Sequence, residues 1–235
     1  MRAPWRLSRP SALDGRRTNA GGKLQTLRNG ERAALSARST DRRRPGLRTT
    51  LTHVHLIFRT IYHLWRSKRR SPLGMRDVGR IALRVWPTDL DVLGHMNNGV
   101  YLSIMDLGRM DLMIREGFWA TLRANKMYPV MVSETITFRR SLNPWEVFVL
   151  ETRVVGVDDK AVYVEQRFVI DGEIAAQAMT RARFLQAGAG TVSIERLSEL
   201  AGTDLREHPL PDWVTAWAAA VTLPPRKQPT PSVWD

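Results

Sequence analysis

The sequence predicts an α+β domain in which a curved antiparallel sheet wraps one central helix. Three observations carry that reading. Residues 98–116 form one long helical pattern that is apolar nearly all the way round. Four strand-like runs follow it, separated by turn residues. One alternating strand precedes it, giving the order β-α-β-β-β-β; a helix with so much apolar girth needs a sheet that curls around it.

The first strand, Arg80–Val85, alternates Ile81, Leu83 and Val85 with Arg80, Ala82 and Arg84, and Pro87 stops it. Asn97 and Asn98 offer caps to the helix and Gly117 offers its C-terminal stop. Along that helix Asp106, Arg109, Asp111 and Arg115 are spaced to pair at i,i+3 and i,i+4. The later strands are Val130–Arg140, Val147–Val157, Ala161–Ile170 and Glu173–Leu185, with no helix expected among them. Asp158-Asp159-Lys160 and Asp171-Gly172 mark tight turns between the last three, and Asp-Gly is a strong short hairpin signal. Short helices are expected at Ser193–Ala201 and Asp212–Val221, before a Pro-rich end.

The organisation reads as a basic arm at 1–52, an amphipathic leader at 53–74, the domain at 75–190 and a helical and Pro-rich extension at 191–235. The net charge of +13 is concentrated at one end: residues 1–74 hold 18 Lys/Arg against Asp14, Glu31 and Asp41, while the remainder holds 18 Lys/Arg against 20 Asp/Glu. A nucleic-acid-binding domain spreads its basic residues over the fold, so no nucleic acid partner is expected. Zero Cys excludes disulfides, Cys-ligated metals and a thiol nucleophile. Residues 1–50 lack the apolar content to offset ordering entropy and read as disordered. Their Arg-rich, acid-poor character resembles a transit peptide with a weak apolar stripe; a start codon placed too far upstream gives the same composition. Within 53–66, Val54, Ile57, Phe58, Ile61, Leu64 and Trp65 make an apolar stripe, with Lys68, Arg69 and Arg70 just beyond. The segment is too short and charged to span a bilayer. Docking on the domain and lying in a membrane interface are both open. His53, His55 and His63 lack nearby carboxylates, so no metal site is expected there.

The densest polar cluster is Asp89-Leu-Asp91-Val-Leu-Gly94-His95-Met-Asn97-Asn98, between the first strand and the helix. A carboxylate, an imidazole and two amides meet a helix N-terminus, where free N–H groups and the dipole favour developing negative charge. Such a group can polarise a carbonyl while the carboxylate attacks it or directs water. Spacing alone favours a plainer account: Asp89 and Asp91 make turns, Asn97 and Asn98 cap, and His95 bonds backbone.

The run from Asp89 to Tyr101 resembles the D-x-D-x-x-G-H-[VM]-N-N-x-x-Y signature of hotdog-fold thioesterases, the 4-hydroxybenzoyl-CoA thioesterase-like and acyl-ACP groups, and above all the THEM6-like thioesterase proteins. The similarity continues through Tyr101–Arg109, Phe138–Leu142 and Glu165–Phe168, covering about residues 76–190. It implies a hotdog fold, paired as a homodimer or dimer of dimers with sites at the subunit interface. Carried over, Asp91 matches the nucleophile or general base and His95 the motif histidine. Asn97 and Asn98 match residues that shape the loop and helix start. Leu93 stands where acyl-ACP enzymes have Asn, which departs from their particular mechanism.

The resulting expectation is a thioesterase acting on an acyl-CoA or acyl-carrier thioester, in fatty acid metabolism, with no cofactor and no metal. Amides near Asn97, Asn98 and Gly99 would hold the oxyanion, and residues around Tyr101 and Met105 would shape the acyl pocket. Glu134 is a second candidate catalytic carboxylate, able to orient water, or else an exposed edge glutamate. Arg139 and Arg140 are candidates for coenzyme A phosphates or solvated charges. The alternative is a non-catalytic hotdog dimer binding acyl chains or a membrane surface; a dehydratase on the same fold is a third, weaker reading, with no strong helix-borne carboxylate for it beyond Asp106. The chain is expected in the cytoplasm, with peripheral membrane contact through 53–70 left open.

Overall fold

Alternation sets the first strand: β1 (Gly79–Arg84) buries Gly79, Ile81 and Leu83 and exposes Arg80, Ala82 and Arg84. The computed structural model describes residues 47–207, 209–225 and 227–233, with side chains from Ile57 onward. The basic arm through residue 46, and the side chains of His53, Val54 and His55, lie outside the described residues.

Helix α1 (Leu47–Ser67) begins ahead of the stretch its apolar period marks. After β1, a 3-10 turn at Pro87–Asp89 leads into the motif loop. The central helix α2 (Asn98–Arg115) has Asn97 as its N-cap. Gly117, with φ of 74°, ends it and at once starts α3 (Phe118–Ala124), a helix the sequence reading did not expect. Strands β2 (Met127–Phe138), β3 (Val147–Val157), β4 (Val162–Ile170) and β5 (Glu173–Gln186) follow, then a two-residue β6 (Gly190–Thr191). Helices α4 (Ile194–Ala201) and α5 (Asp212–Ala220) occupy the tail. Asp171 and Gly172 both take positive φ, 50° and 80°, in the expected hairpin turn.

The sheet runs β1-β3-β4-β5-β2, antiparallel at every pairing, with β6 on β5. It curls around α2. Beneath the N-terminal half of that helix, Val100, Tyr101, Ile104 and Met105 pack on Ile81, Leu83, Phe148, Leu150 and Phe168. Beneath the C-terminal half, α3 and α4 close a second apolar cluster through Phe118, Leu122, Ile194 and Leu197 against Val164 and Phe184. Helix α5 covers the other face of the sheet, with Val214 and Ala218 against Tyr163 and Met179, so β4 is buried on both sides.

One close approach fixes how deeply α2 sits. A Cβ at Gly108 would lie 2.4 Å from Thr152 Oγ1 and 2.7 Å from both Gln166 Nε2 and Leu150 Cδ2. Only hydrogen fits there. Gln166, fully buried, uses the space to donate to Met105 O (2.9 Å) and Thr152 Oγ1 (3.0 Å) while accepting from Arg109 (2.8 Å).

Helix α1 docks through its polar side. Arg59 donates to Asp89 (3.0 Å) and to Arg84 O (3.2 Å); Ser67 Oγ donates to Asp111 (2.7 Å), which also accepts from Arg70 and Arg115. The i,i+3 pair Asp106–Arg109 and the i,i+4 pair Asp111–Arg115 form as their spacing predicts.

Candidate active site

The motif loop is a tight hairpin between β1 and α2. The Asp91 N–H donates to His95 O (2.8 Å), Gly94 N–H donates to Asp91 O (3.3 Å), and Gly94 takes φ of 82°. Asp91 Oδ1 accepts from the backbone N–H of Leu93 (2.8 Å) and of His95 (3.3 Å). Its second carboxylate oxygen has no hydrogen-bond or ion-pair partner among the described residues, and the residue is half-buried. One oxygen is thus clamped and the other left open, which is what a nucleophile or general base requires.

Asp89, two residues earlier, has the opposite fate. It is completely buried, paired with Arg59, and accepts from the Trp86 N–H at 2.9 Å. Its own carbonyl receives the Asn97 N–H at 2.8 Å, so the first motif Asp ties together leader, loop and helix start. His95 is half-buried beside Asp91, but the hydrogen bonds between these two residues run through His95 backbone atoms.

At the helix start, Asn97 Oδ1 accepts from the Gly99 N–H (2.8 Å). Of the three amides expected at the oxyanion hole, that of Gly99 is taken by the cap and that of Asn97 by Asp89 O. The Asn98 N–H is the one of the three with no partner among the described residues, at the positive end of an 18-residue helix. Tyr101 and Met105, expected to shape the acyl pocket, point into the core. They are 1% and 0% exposed, and Tyr101 packs edge-on to Phe138 and Phe168 while its hydroxyl accepts the Leu142 N–H. Both belong to the solid core, because their stripe of α2 faces the sheet.

The open apolar space lies under the other half of α2. A cavity of about 180 Å³ is lined by Met110, Met113, Phe118, Met131, Val164 and Phe184, with Asp106, Arg109 and Glu116 on its wall. Glu134 sits at this end, away from Asp91. It accepts from Arg109 (2.7 Å) and from Thr180 Oγ1 (3.3 Å), so it is an ion-paired, part-buried carboxylate in place of an exposed edge residue. No hydrogen bond or ion pair among the described residues joins it to Asp91 or His95. Asp106 is exposed and paired with Arg109.

Sequence reasoning overlooked Glu116, the residue that ends α2. Its Oε1 is buried without a partner among the described residues, and burial, reinforced by nearby Asp77, raises its carboxyl pKa to about 8. Arg139 and Arg140, at the end of β2, are exposed and paired with Glu173 and Glu146.

A family model described as the thioesterase-like superfamily matches residues 85–218, more than half of the chain. The chain belongs to that superfamily. Protein THEM6 of Xenopus laevis is 44% identical over 99 residues, 41% of this chain and 48% of that protein. Protein THEM6 of Danio rerio is 40% identical over 130 residues, 50% of this chain and 61% of that protein. The chain therefore matches about half to three-fifths of the length of these two relatives. The solved structure of the probable thioesterase YbaW from Escherichia coli aligns with a TM-score of 0.50 at 19% identity, over 54% of this chain and 98% of that one. At that identity the likeness concerns the fold, and the fold of this superfamily member is the hotdog: a curled antiparallel sheet around a helix.

Proposed function

We propose that the protein hydrolyses an acyl-CoA or acyl-carrier thioester, with Asp91 as nucleophile or general base. The observation that carries this is the asymmetry of the Asp91 carboxylate, one oxygen held by two backbone amides and the other open, beside the unpartnered Asn98 N–H. A thioester carbonyl seated between them would meet an attacking oxygen or an activated water on one side and a helix-terminal donor on the other. His95, on the same hairpin, is the second catalytic candidate. Glu134 has the supporting task of holding Arg109 at the cavity wall.

The acyl pocket is best supplied by the cavity under the C-terminal half of α2. From Asn98 to Arg109 is eleven residues, about 16 Å along the helix axis. The intervening core at Ile104 and Met105 is closed, so the Asp91 loop does not feed the cavity of its own chain from beneath α2. A homodimer with its central helices side by side and antiparallel would set each loop against the partner's cavity. Among the described residues no strand pairs with the outer edge of β2, and Tyr128, Met131, Val132 and Phe138 are each 39–46% exposed, which supports pairing along that strand.

The test is a panel of acyl-CoAs of graded chain length, with the released thiol detected directly. Turnover of one or more members is expected. Absence of thiol release across the panel and across acyl-carrier substrates would leave the non-catalytic acyl-binding dimer in its place.

A further inference from the structure

We propose that the outward face of α1 docks the protein on an anionic lipid surface. The helix meets the domain by its polar side: Arg59 reaches Asp89, and Ser67 and, just past the helix, Arg70 reach Asp111. At 100° per residue these three, with His63 between them, fall on one face. The opposite face holds Ile57, Phe58, Ile61, Tyr62 and Trp65, each at least half exposed. An amphipathic helix that only packed on its domain would turn the apolar side inward. Here two buried carboxylates hold it the other way round, so the apolar side cannot rotate out of solvent without abandoning both.

The charge around this face selects the occupant. Arg66, Lys68 and Arg69 are exposed beside it and form no ion pair among the described residues; Arg66 donates to the Tyr62 hydroxyl, and the Arg69 guanidinium stacks 3.7 Å over the Trp65 ring. From residue 47 to residue 76 the sequence contains no Asp or Glu. Asp106, which lines the groove beside Ile57 and Ile61, is already paired with Arg109. A second copy meeting this face two-fold would set one uncompensated basic rim against another. Phosphate headgroups neutralise such a rim, and Trp and Tyr suit the boundary between headgroups and acyl chains. Among the described residues no helix is long and apolar enough to cross a membrane, and the proposed contact has α1 lying along the surface. This proposal stands independently of the catalytic reading.

The experiment is vesicle flotation with the full chain, using phosphatidylcholine alone and an equal mixture of phosphatidylcholine and phosphatidylglycerol. Wild type should float with the mixed vesicles and lose most of that binding in high salt. Replacing Phe58 and Trp65 together by Ser should weaken binding by about tenfold or more, as should neutralising Arg66, Lys68 and Arg69 to Gln. Circular dichroism and sedimentation of each variant should match wild type, since all five side chains are exposed. Three results would overturn the proposal: no flotation of wild type, undiminished flotation of the Phe58/Trp65 variant, which would assign binding to the N-terminal arm, or dissociation of a wild-type oligomer by that variant, which would make the face a contact between copies.

Discussion

Arg59 of α1 and Asp89 at the base of the motif loop form an ion pair at 3.0 Å, with side chains 6% and 0% exposed. Thirty residues apart in sequence, they couple the leader helix to the hairpin that carries Asp91. Arg59→Ala removes the guanidinium from a buried carboxylate, and breaking such a pair costs about 3–5 kcal/mol. Urea unfolding should show a loss of that order, and thioester turnover should fall with it because the loop loses its anchor. A loss no greater than that of an exposed ion pair would contradict this role.

Gly108 sets the depth of the central helix. Gly108→Ala drives a methyl into Thr152, Gln166 and Leu150, so α2 must lift or the Gln166 amide must give up its bonds. Overpacking of this kind costs about 1–3 kcal/mol, outweighing the gain in helix propensity of roughly 1 kcal/mol from Gly to Ala. Thermal unfolding should therefore move down; an upward shift would show that the sheet yields freely at this point.

Two part-buried titratable groups bend stability in opposite directions as pH changes. The Glu116 carboxyl, raised to about 8 by burial and Asp77, keeps its proton in the folded chain where the unfolded chain has lost it. Its contribution to stability therefore declines from pH near 4.5 to about 8. His63, lowered to about 4 by burial and by Arg59 and Arg66, binds its proton more readily when unfolded, so its contribution declines as pH falls from 6.5 to about 4. Glu116→Gln should stabilise the protein increasingly as pH rises from about 4.5 to about 8 and level off above that, and His63→Gln should flatten the acid limb. Denaturation midpoints from pH 4 to 9 check both, and parallel profiles for wild type and Glu116→Gln would remove Glu116 from the account.

Glu134 and Asp91 are separable by their failures. Glu134→Gln removes the charge facing Arg109, which is 7% exposed, while keeping an acceptor for Thr180. A stability loss of about 1–3 kcal/mol is expected, with a rate effect well below that of altering Asp91. Equal rate losses for the two would place Glu134 in the chemistry.

Much of this architecture was legible because periodicity is local. The alternation in β1, the Asn97 cap, the Asp171-Gly172 turn and the helix spanning Asn98–Arg115 each depend on neighbours in sequence. Helix α3 escaped because its seven residues follow Gly117 directly, and one glycine served as both stop and start. The depth at which Tyr101 and Met105 are buried carries no sequence signal for a related reason: a helix apolar on every side gives no period to say which face is sealed. The partner of Arg59, the burial of Glu116 and the Arg109–Glu134–Gln166 cluster depend on contacts made only once the sheet has closed, and carry no local signal.

The most direct test of the account is the rate of thioester hydrolysis by Asp91→Asn beside wild type, with circular dichroism and unfolding measured on both. Asn keeps an oxygen for the Leu93 and His95 amides, so the hairpin should persist. Turnover should fall by about 10²–10⁴-fold with stability unchanged. Hydrolysis at the wild-type rate by a folded Asp91→Asn protein would contradict it.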